Sequence, residues 1–171
     1  MTAGPAAPKV REYREGDEDG INAVIKSVFD EYGWLWDPKT ENKDTYAIRE
    51  NYHDRGGGFW VLEADGQIVG TVALRAKEGD TCTLYRVYVP AHERGRGYGR
   101  SLFRFAIGQA RHMGFRKMEI WSDKTLDVSH VMYKNAGAKV IGDRKVFDPD
   151  YGVPYEEWGY LLDLDSIVGE S

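Results

Sequence analysis

Apolar residues recur along this chain with the period of a helix in some segments and alternate like a strand in others. Between Glu18 and Tyr32 they recur every three or four residues, which predicts a helix that faces a core. The runs Phe59 to Ala64 and Gln67 to Ala76 flank Asp65-Gly66, the two-residue signature of a hairpin. We therefore expect a helix followed by a pair of antiparallel strands.

The remaining elements follow from the same patterns and from the glycines and prolines between them. The other predicted strands are Val10 to Arg14, Thr81 to Val89, Lys117 to Trp121, Lys139 to Gly142 and Glu156 to Leu164. The other predicted helices are about Asp44 to His53, a helix from Ser101 with a buried stripe of Leu102, Phe105, Ala106, Ala110 and Met113, and Val128 to Ala136. This order indicates an α/β (α+β) protein with a mixed sheet of about seven strands and helices on both faces.

Length and composition narrow the class of protein. At 171 residues we expect one domain, residues 9–171, after a disordered tail of residues 1–8. The start lacks an export signal and no run approaches about 18 apolar residues, so we expect a cytoplasmic protein without a membrane partner. A net charge of -5 argues against a nucleic-acid partner. The single cysteine and four histidines lack the spacing of metal ligands.

A glycine-rich segment lies between a strand and a helix and is predicted to bind phosphate: Arg94-Gly95-Arg96-Gly97-Tyr98-Gly99-Arg100-Ser101. Glycines let the backbone approach a ligand, and a helix that begins there points unpaired amides outward. The P-loop pattern is absent. A dinucleotide fingerprint fits poorly, because the glycine spacing is wrong and Glu119 lies within a strand instead of at its end.

A third phosphate-binding pattern, R-x-x-G-x-G, is present at Arg94, Gly97 and Gly99, shortly after Val87-Tyr88-Val89-Pro90. It resembles the acyl-CoA motif of the GNAT superfamily of N-acetyltransferases. The resemblance implies a mostly antiparallel, twisted sheet and acetyl-CoA as the acetyl donor, with no metal. It assigns cofactor binding to Val87, Tyr88, Val89, Arg94, Gly95, Arg96, Gly97, Tyr98, Gly99, Arg100 and Ser101.

Two later segments extend the resemblance. Lys117 to Trp121 resembles the family's fifth strand, and Tyr133 to Ala138 resembles its Y-x-x-x-G-F helix end. Two positions depart from the family pattern. Ala138 replaces the usual Phe, which we expect to alter only packing, and Leu126 replaces an Asn that bonds pantetheine in many members.

The resemblance implies that Tyr133 is the general acid. A phenol has a pKa of about 10, so it is protonated at neutral pH and can donate to the departing thiolate. The base is unresolved. Glu119 in its strand and His130, one turn before Tyr133, are both candidates, and both also suit a structural role.

In this fold, acceptor recognition is expected in the loop after the first helix and in the loop before the last strand. The first contains Trp34, Trp36 and Asp37, and Tyr85 on the neighbouring strand is expected to shape the pocket. The second contains Asp143, Asp148, Asp150, Tyr151 and Tyr155. Aromatic faces with carboxylates suit a cation, although the same residues also suit ordinary loop packing and solvation.

The sequence thus predicts an acyltransferase that moves an acetyl group from acetyl-CoA to a primary amine by direct transfer in a ternary complex. A small-molecule acceptor is favoured. The alternatives are a protein or peptide acceptor, or an acyl-CoA-binding sensor without turnover. A homodimer is suggested by family analogy alone.

Overall fold

The computed structural model describes Gly4, residues 6–147 and residues 154–167. Seven strands form one mixed sheet in the spatial order β1-β2-β3-β4-β5-β7-β6. The strands are β1 (Lys9–Glu12), β2 (Gly58–Ala64), β3 (Gln67–Ala76), β4 (Thr81–Tyr88), β5 (Lys117–Asp123), β6 (Lys139–Val146) and β7 (Tyr155–Asp163). The helices are α1 (Glu18–Tyr32), α2 (Ile48–Asn51), α3 (Tyr98–His112) and α4 (Asp127–Asn135). The predicted fold class and element order are confirmed.

Most of the described strand pairs are antiparallel. β2 pairs antiparallel with both β1 and β3, and β7 pairs antiparallel with both β5 and β6. β4 and β5 are parallel, and their register runs from Thr81 opposite Lys117 to Leu84 opposite Ile120. The hairpin at Asp65-Gly66 has positive φ at both positions, as the sequence predicts.

The contacts divide the chain into two compact units. Within the described residues, unit one consists of the chain up to Arg75 together with Tyr85–Ala106. Its core is built by α1, α2 and the β2–β3 hairpin, and the buried residues are Ile21, Ile25, Phe29, Ile48, Tyr52, Phe59, Val61 and Ala73. Gly33 ends α1 in a left-handed conformation, and its N–H bonds back to the carbonyls of Asp30 and Phe29.

Unit two consists of Ala76–Leu84 and the chain from Ile107. It contains the first half of β4, the end of α3, and β5, α4, β6 and β7. Its fully or almost fully buried residues include Cys82, Met118, Ile120, Tyr160 and Leu162. β4 and α3 each contribute residues to both units, so the prediction of a single domain over 9–171 stays a prediction.

Several local expectations need correction. The helix predicted at Asp44 to His53 is broken, with 3-10 turns on either side of the short α2, because buried side chains such as Thr45 bond to backbone and side-chain groups. Tyr32 and Met113 fit the apolar period of their predicted helices, which places them toward the core, but they are 37% and 39% exposed. In α3, Phe103 and Ile107 are the buried residues that the predicted stripe omits.

Two predicted segments lie partly or wholly outside the described residues. Of the predicted tail, Gly4 and residues 6–8 are exposed and have no regular structure, and the other positions are not described. Asp148, Asp150 and Tyr151 also lie outside the described residues. No helix in the part of the chain that is described is long and apolar enough to span a bilayer.

Candidate active site

The glycine-rich segment of unit one forms a turn that leads directly into α3. Gly95 and Gly97 have φ of 82° and 79°, a conformation that side-chain-bearing residues rarely adopt. α3 begins at Tyr98, and its first backbone bond runs from the Ser101 N–H to the Gly97 carbonyl. The backbone N–H groups of residues 98–100 therefore come before the first hydrogen bond of the helix. A Cβ at Gly95, Gly97 or Gly99 would meet nothing within 4 Å, so the turn opens onto free space.

Two arginines of this turn are already paired within the protein. Arg94 makes a two-pronged ion pair with Glu31 of α1, with N–O distances of 2.6 and 2.7 Å. Its Nε also donates to the Val89 carbonyl at 3.1 Å. Arg96 lies 3.1 Å from Glu93. The Arg94 side chain thus ties the turn to α1, and its part in cofactor binding stays a prediction.

The strand before the turn carries a local irregularity at Arg86. Its φ is 55°, which is unusual for a residue with a side chain, and its carbonyl accepts a hydrogen bond from Thr71 Oγ1 at 2.7 Å. The guanidinium is largely buried and pairs with Asp44 at 2.6 and 3.1 Å. Tyr52 donates its hydroxyl proton to the same carboxylate. These contacts hold the backbone of β4 in its strained form between Tyr85 and Val87.

Burial alone would raise the pKa of Asp44. The charge of Arg86, with hydrogen bonds from Arg86 and Tyr52, outweighs that cost and holds the pKa of Asp44 below its ordinary value. Asp44 is therefore the counter-ion of the buried Arg86 guanidinium.

The aromatic residues predicted to contact the acceptor are partly buried in unit one. Trp34 and Trp36 both pack edge-on against Phe29, with ring centroids 5.3 and 5.7 Å apart. Tyr88 also packs against Phe29, at 6.1 Å. The Asp37 carboxylate accepts hydrogen bonds from residues 39 and 40 of its own loop. It therefore orders the loop, and the substrate role of the tryptophans stays a prediction.

Tyr85 belongs to a second aromatic group in unit one. Its ring lies edge-on to Tyr52, with centroids 6.2 Å apart. The guanidinium of Arg75 lies 4.6 Å from the centroid of each of these rings.

In unit two, α4 buries Tyr133 and His130, which are 4% and 7% exposed. The Tyr133 ring lies 5.7 Å from the ring of Tyr160 on β7. The Tyr160 hydroxyl lies 2.8 Å from His130 Nδ1, and His130 Nε2 lies 2.7 Å from the Asp123 carbonyl oxygen. His130 therefore has both ring nitrogens engaged. No sequence signal distinguishes Tyr160 from the other apolar or aromatic positions of the last strand.

Glu119 also lies in unit two. One carboxylate oxygen is 2.7 Å from Lys77 Nζ, and the other accepts a hydrogen bond from Trp121 Nε1 at 2.6 Å. Burial acts to raise its pKa, but these two partners outweigh burial and lower the pKa of Glu119. A lower pKa makes this carboxylate a weaker base.

The two positions that depart from the family pattern, Ala138 and Leu126, lie just beyond the two ends of α4. Ala138 is 7% exposed, and its N–H bonds to the Tyr133 carbonyl at 3.1 Å. Leu126 caps the start of α4 without a side-chain hydrogen bond. Among the described residues, no group of three or more His, Cys, Asp or Glu is placed to hold a metal ion.

The sequence is similar to those of known N-acetyltransferases. The sequence model of the Acetyltransferase (GNAT) family matches residues 25–138. The uncharacterised N-acetyltransferase YjgM of Escherichia coli (strain K12) is 29% identical over 142 residues, which cover 80% of this chain and 85% of that protein. The N-acetylaspartate synthetase of Danio rerio is 31% identical over 100 residues, 58% of this chain but only 34% of that protein.

Solved structures share the fold. YncA of Salmonella typhimurium, whose structure includes its cofactor acetyl-CoA, superposes with a TM-score of 0.75 at 21% identity, covering 97% of this chain and 99% of that one. Because the family match covers well over half of the sequence, this chain belongs to the GNAT family of acetyltransferases and is an acyltransferase.

Proposed function

We propose that this protein transfers the acetyl group of acetyl-CoA to the primary amine of a small molecule, directly and within a ternary complex. The observation that carries the proposal is the open glycine turn at the start of α3 in a member of the acetyltransferase family. Peptide amides at a helix start suit a diphosphate.

The cofactor is held mainly by main-chain groups. The amides from Arg94 to Ser101 bind the diphosphate, and the backbone of Val87 and Val89 pairs with the pantetheine arm as an added strand would. The Val89 carbonyl already accepts a bond from Arg94, so its contribution is assigned to its N–H. Arg94 acts by fixing the turn on Glu31.

In the reaction, the neutral amine nitrogen attacks the thioester carbon. As the tetrahedral intermediate collapses, the C–S bond breaks and Tyr133 gives its phenolic proton to the thiolate. The surplus proton of the amine passes to solvent, and Tyr133 is reprotonated from there. Glu119 is not assigned as base, because Lys77 and Trp121 occupy its carboxylate. Transfer through Cys82 is disfavoured, since burial raises the pKa of its thiol to about 12.

A small acceptor is supported by one relative. The zebrafish protein is named for making N-acetylaspartate, a small molecule, although the match covers about a third of it. A protein acceptor remains the second candidate, and an acyl-CoA sensor the third.

The test is calorimetric titration with acetyl-CoA, with NADH as the control, followed by thiol-release assays. The assays compare a panel of small amines with a panel of peptides. We expect acetyl-CoA to bind, NADH not to bind, and small amines to release thiol. Turnover with peptides but not with small amines would show that the acceptor is a peptide or protein instead of a small molecule. Binding with no turnover on either panel would favour the sensor, and failure of acetyl-CoA to bind would reject the cofactor assignment.

A further inference from the structure

Arg75, near the end of β3, is held in a fixed orientation within unit one. The carbon of its guanidinium lies 4.6 Å from the ring centroids of both Tyr52 and Tyr85, so both rings contact it. Its Nε donates to the Asn51 carbonyl at 2.7 Å. A guanidinium constrained in this way loses little further freedom when it binds a ligand.

The two outer nitrogens of Arg75 make no ion pair with any carboxylate among the described residues. The Asp44 carboxylate of the same cluster forms its ion pair with Arg86. Arg94 and Arg11, elsewhere in unit one, are likewise paired with carboxylates. The cluster of Arg75, Arg86 and Asp44 therefore carries one unbalanced positive charge. A forked donor of this kind matches the two oxygens of a carboxylate.

The position of Arg75 relative to β4 indicates which ligand it would meet. Tyr85, whose ring it contacts, is followed by Val87 near the end of β4, then by Val89 just beyond that end, and then by the glycine turn. If the pantetheine arm runs back along β4 from the turn, its thioester end approaches Tyr85, since a strand advances about 3.3 Å per residue. The acceptor must present its amine at that end.

We propose that Arg75 is a specificity-determining residue that binds a carboxylate on the acceptor, so that the acceptor is an amino acid: a small molecule with both an amine and a carboxylate. Tyr52 and Tyr85 hold the guanidinium in place for this contact. The inference rests on the proposed function, because the location of the acceptor follows from the assigned path of acetyl-CoA.

The test compares amino acids with the amines that remain when their carboxyl group is removed: phenylalanine with phenethylamine, and leucine with isoamylamine. For the wild type we expect kcat/KM to favour the amino acid of each pair by about ten- to a hundredfold. Arg75→Gln should erase that preference, and Arg75→Lys should keep only part of it, because Lys retains the charge but not the fork. The KM for acetyl-CoA should stay unchanged. Arg55→Gln, at an exposed arginine of the same unit, should behave as wild type.

Two results would overturn the proposal: equal use of both members of each pair by the wild type, or an equal loss on both in Arg75→Gln. A second measurement separates this inference from the proposed function. Calorimetry of the same pairs, with the protein saturated with CoA, reports carboxylate binding without turnover. If no amine is acetylated, the transferase proposal fails, and binding of amino acids that depends on Arg75 still supports the carboxylate site. Absence of that dependence rejects it.

Discussion

The hydroxyl oxygen of Tyr160 lies 2.8 Å from Nδ1 of His130, and both residues are almost wholly buried. The other ring nitrogen, Nε2, faces the Asp123 carbonyl, which can only accept a hydrogen bond. Nε2 therefore carries a proton and donates to that carbonyl, and Nδ1 shares a hydrogen bond with the hydroxyl of Tyr160. This chain of bonds joins α4 to β5 and β7 beside the ring of Tyr133.

Tyr160→Phe should destabilise the protein, because it leaves Nδ1 of His130 buried without a partner. We expect the free energy of unfolding to fall by about 1 to 3 kcal/mol in urea titrations. Tyr46→Phe, at a tyrosine that is 50% exposed, is the control and should change it by less than about 0.5 kcal/mol. Equal stability of both variants would show that the bond contributes nothing.

Tyr133→Phe should lower kcat by about 10² to 10⁴-fold and leave the affinity for acetyl-CoA unchanged, because only the proton donor is removed. Steady-state kinetics and calorimetry measure the two quantities. An acetyl thioester with a more acidic thiol should recover much of the lost rate, since its leaving group needs no proton. Unchanged turnover would remove Tyr133 from the role of acid.

Glu119→Gln should lower kcat by less than about tenfold and reduce the free energy of unfolding by about 1 to 2 kcal/mol, because the carboxylate holds Lys77 and Trp121. Kinetics over a range of pH, together with urea unfolding, test both parts. A hundredfold fall in kcat with loss of the acid limb of the pH profile would restore Glu119 as the base.

Gly97→Glu should weaken acetyl-CoA binding by more than about tenfold, because it puts bulk and negative charge where the diphosphate is expected. The matched control is Gly97→Ala, which carries the same backbone strain at φ of 79° without the charge. Both variants should lose roughly 1 to 2 kcal/mol of stability. Calorimetry would contradict the phosphate assignment if the two variants bound acetyl-CoA alike.

Asp44→Asn should cost about 3 to 5 kcal/mol of unfolding free energy, because it leaves the cation of Arg86 buried and unpaired. Since the folded pKa of Asp44 lies below its ordinary value of 3.8, the pair stabilises fully above the unfolded pKa and is lost as the pH falls through the folded pKa. Between about pH 5 and pH 2 the wild type should therefore lose more stability than the variant. Asp30→Asn, in an exposed pair, should remain near wild type. Parallel pH profiles for wild type and Asp44→Asn would refute the linkage.

Local signals in the sequence were enough to predict the fold. They were not enough to predict which residues of distant segments contact each other. The stripe of α1 follows from spacing alone, and Gly95 and Gly97 have the positive φ that their place in the motif suggested. The partner of Arg94 could not be predicted, because Glu31 is 63 residues away. The same applies to His130 and Tyr160, which are 30 residues apart. Tyr32 fits the helical period but lies in the last turn, where it stacks on Trp34 at 4.9 Å.

The pairing of Arg94 with Glu31, and of Arg96 with Glu93, changes how the charge of the glycine turn should be counted. Two of the cations that appear in its sequence are neutralised locally, so we expect the turn to attract the diphosphate largely through oriented peptide dipoles. Dipoles release no counter-ions when a ligand binds, and cofactor affinity should therefore vary only weakly with ionic strength. Substitution of these arginines together with their acidic partners should therefore be compatible with the same cofactor. Substitution of the glycines should be tolerated far less, because their positive φ disfavours residues with side chains.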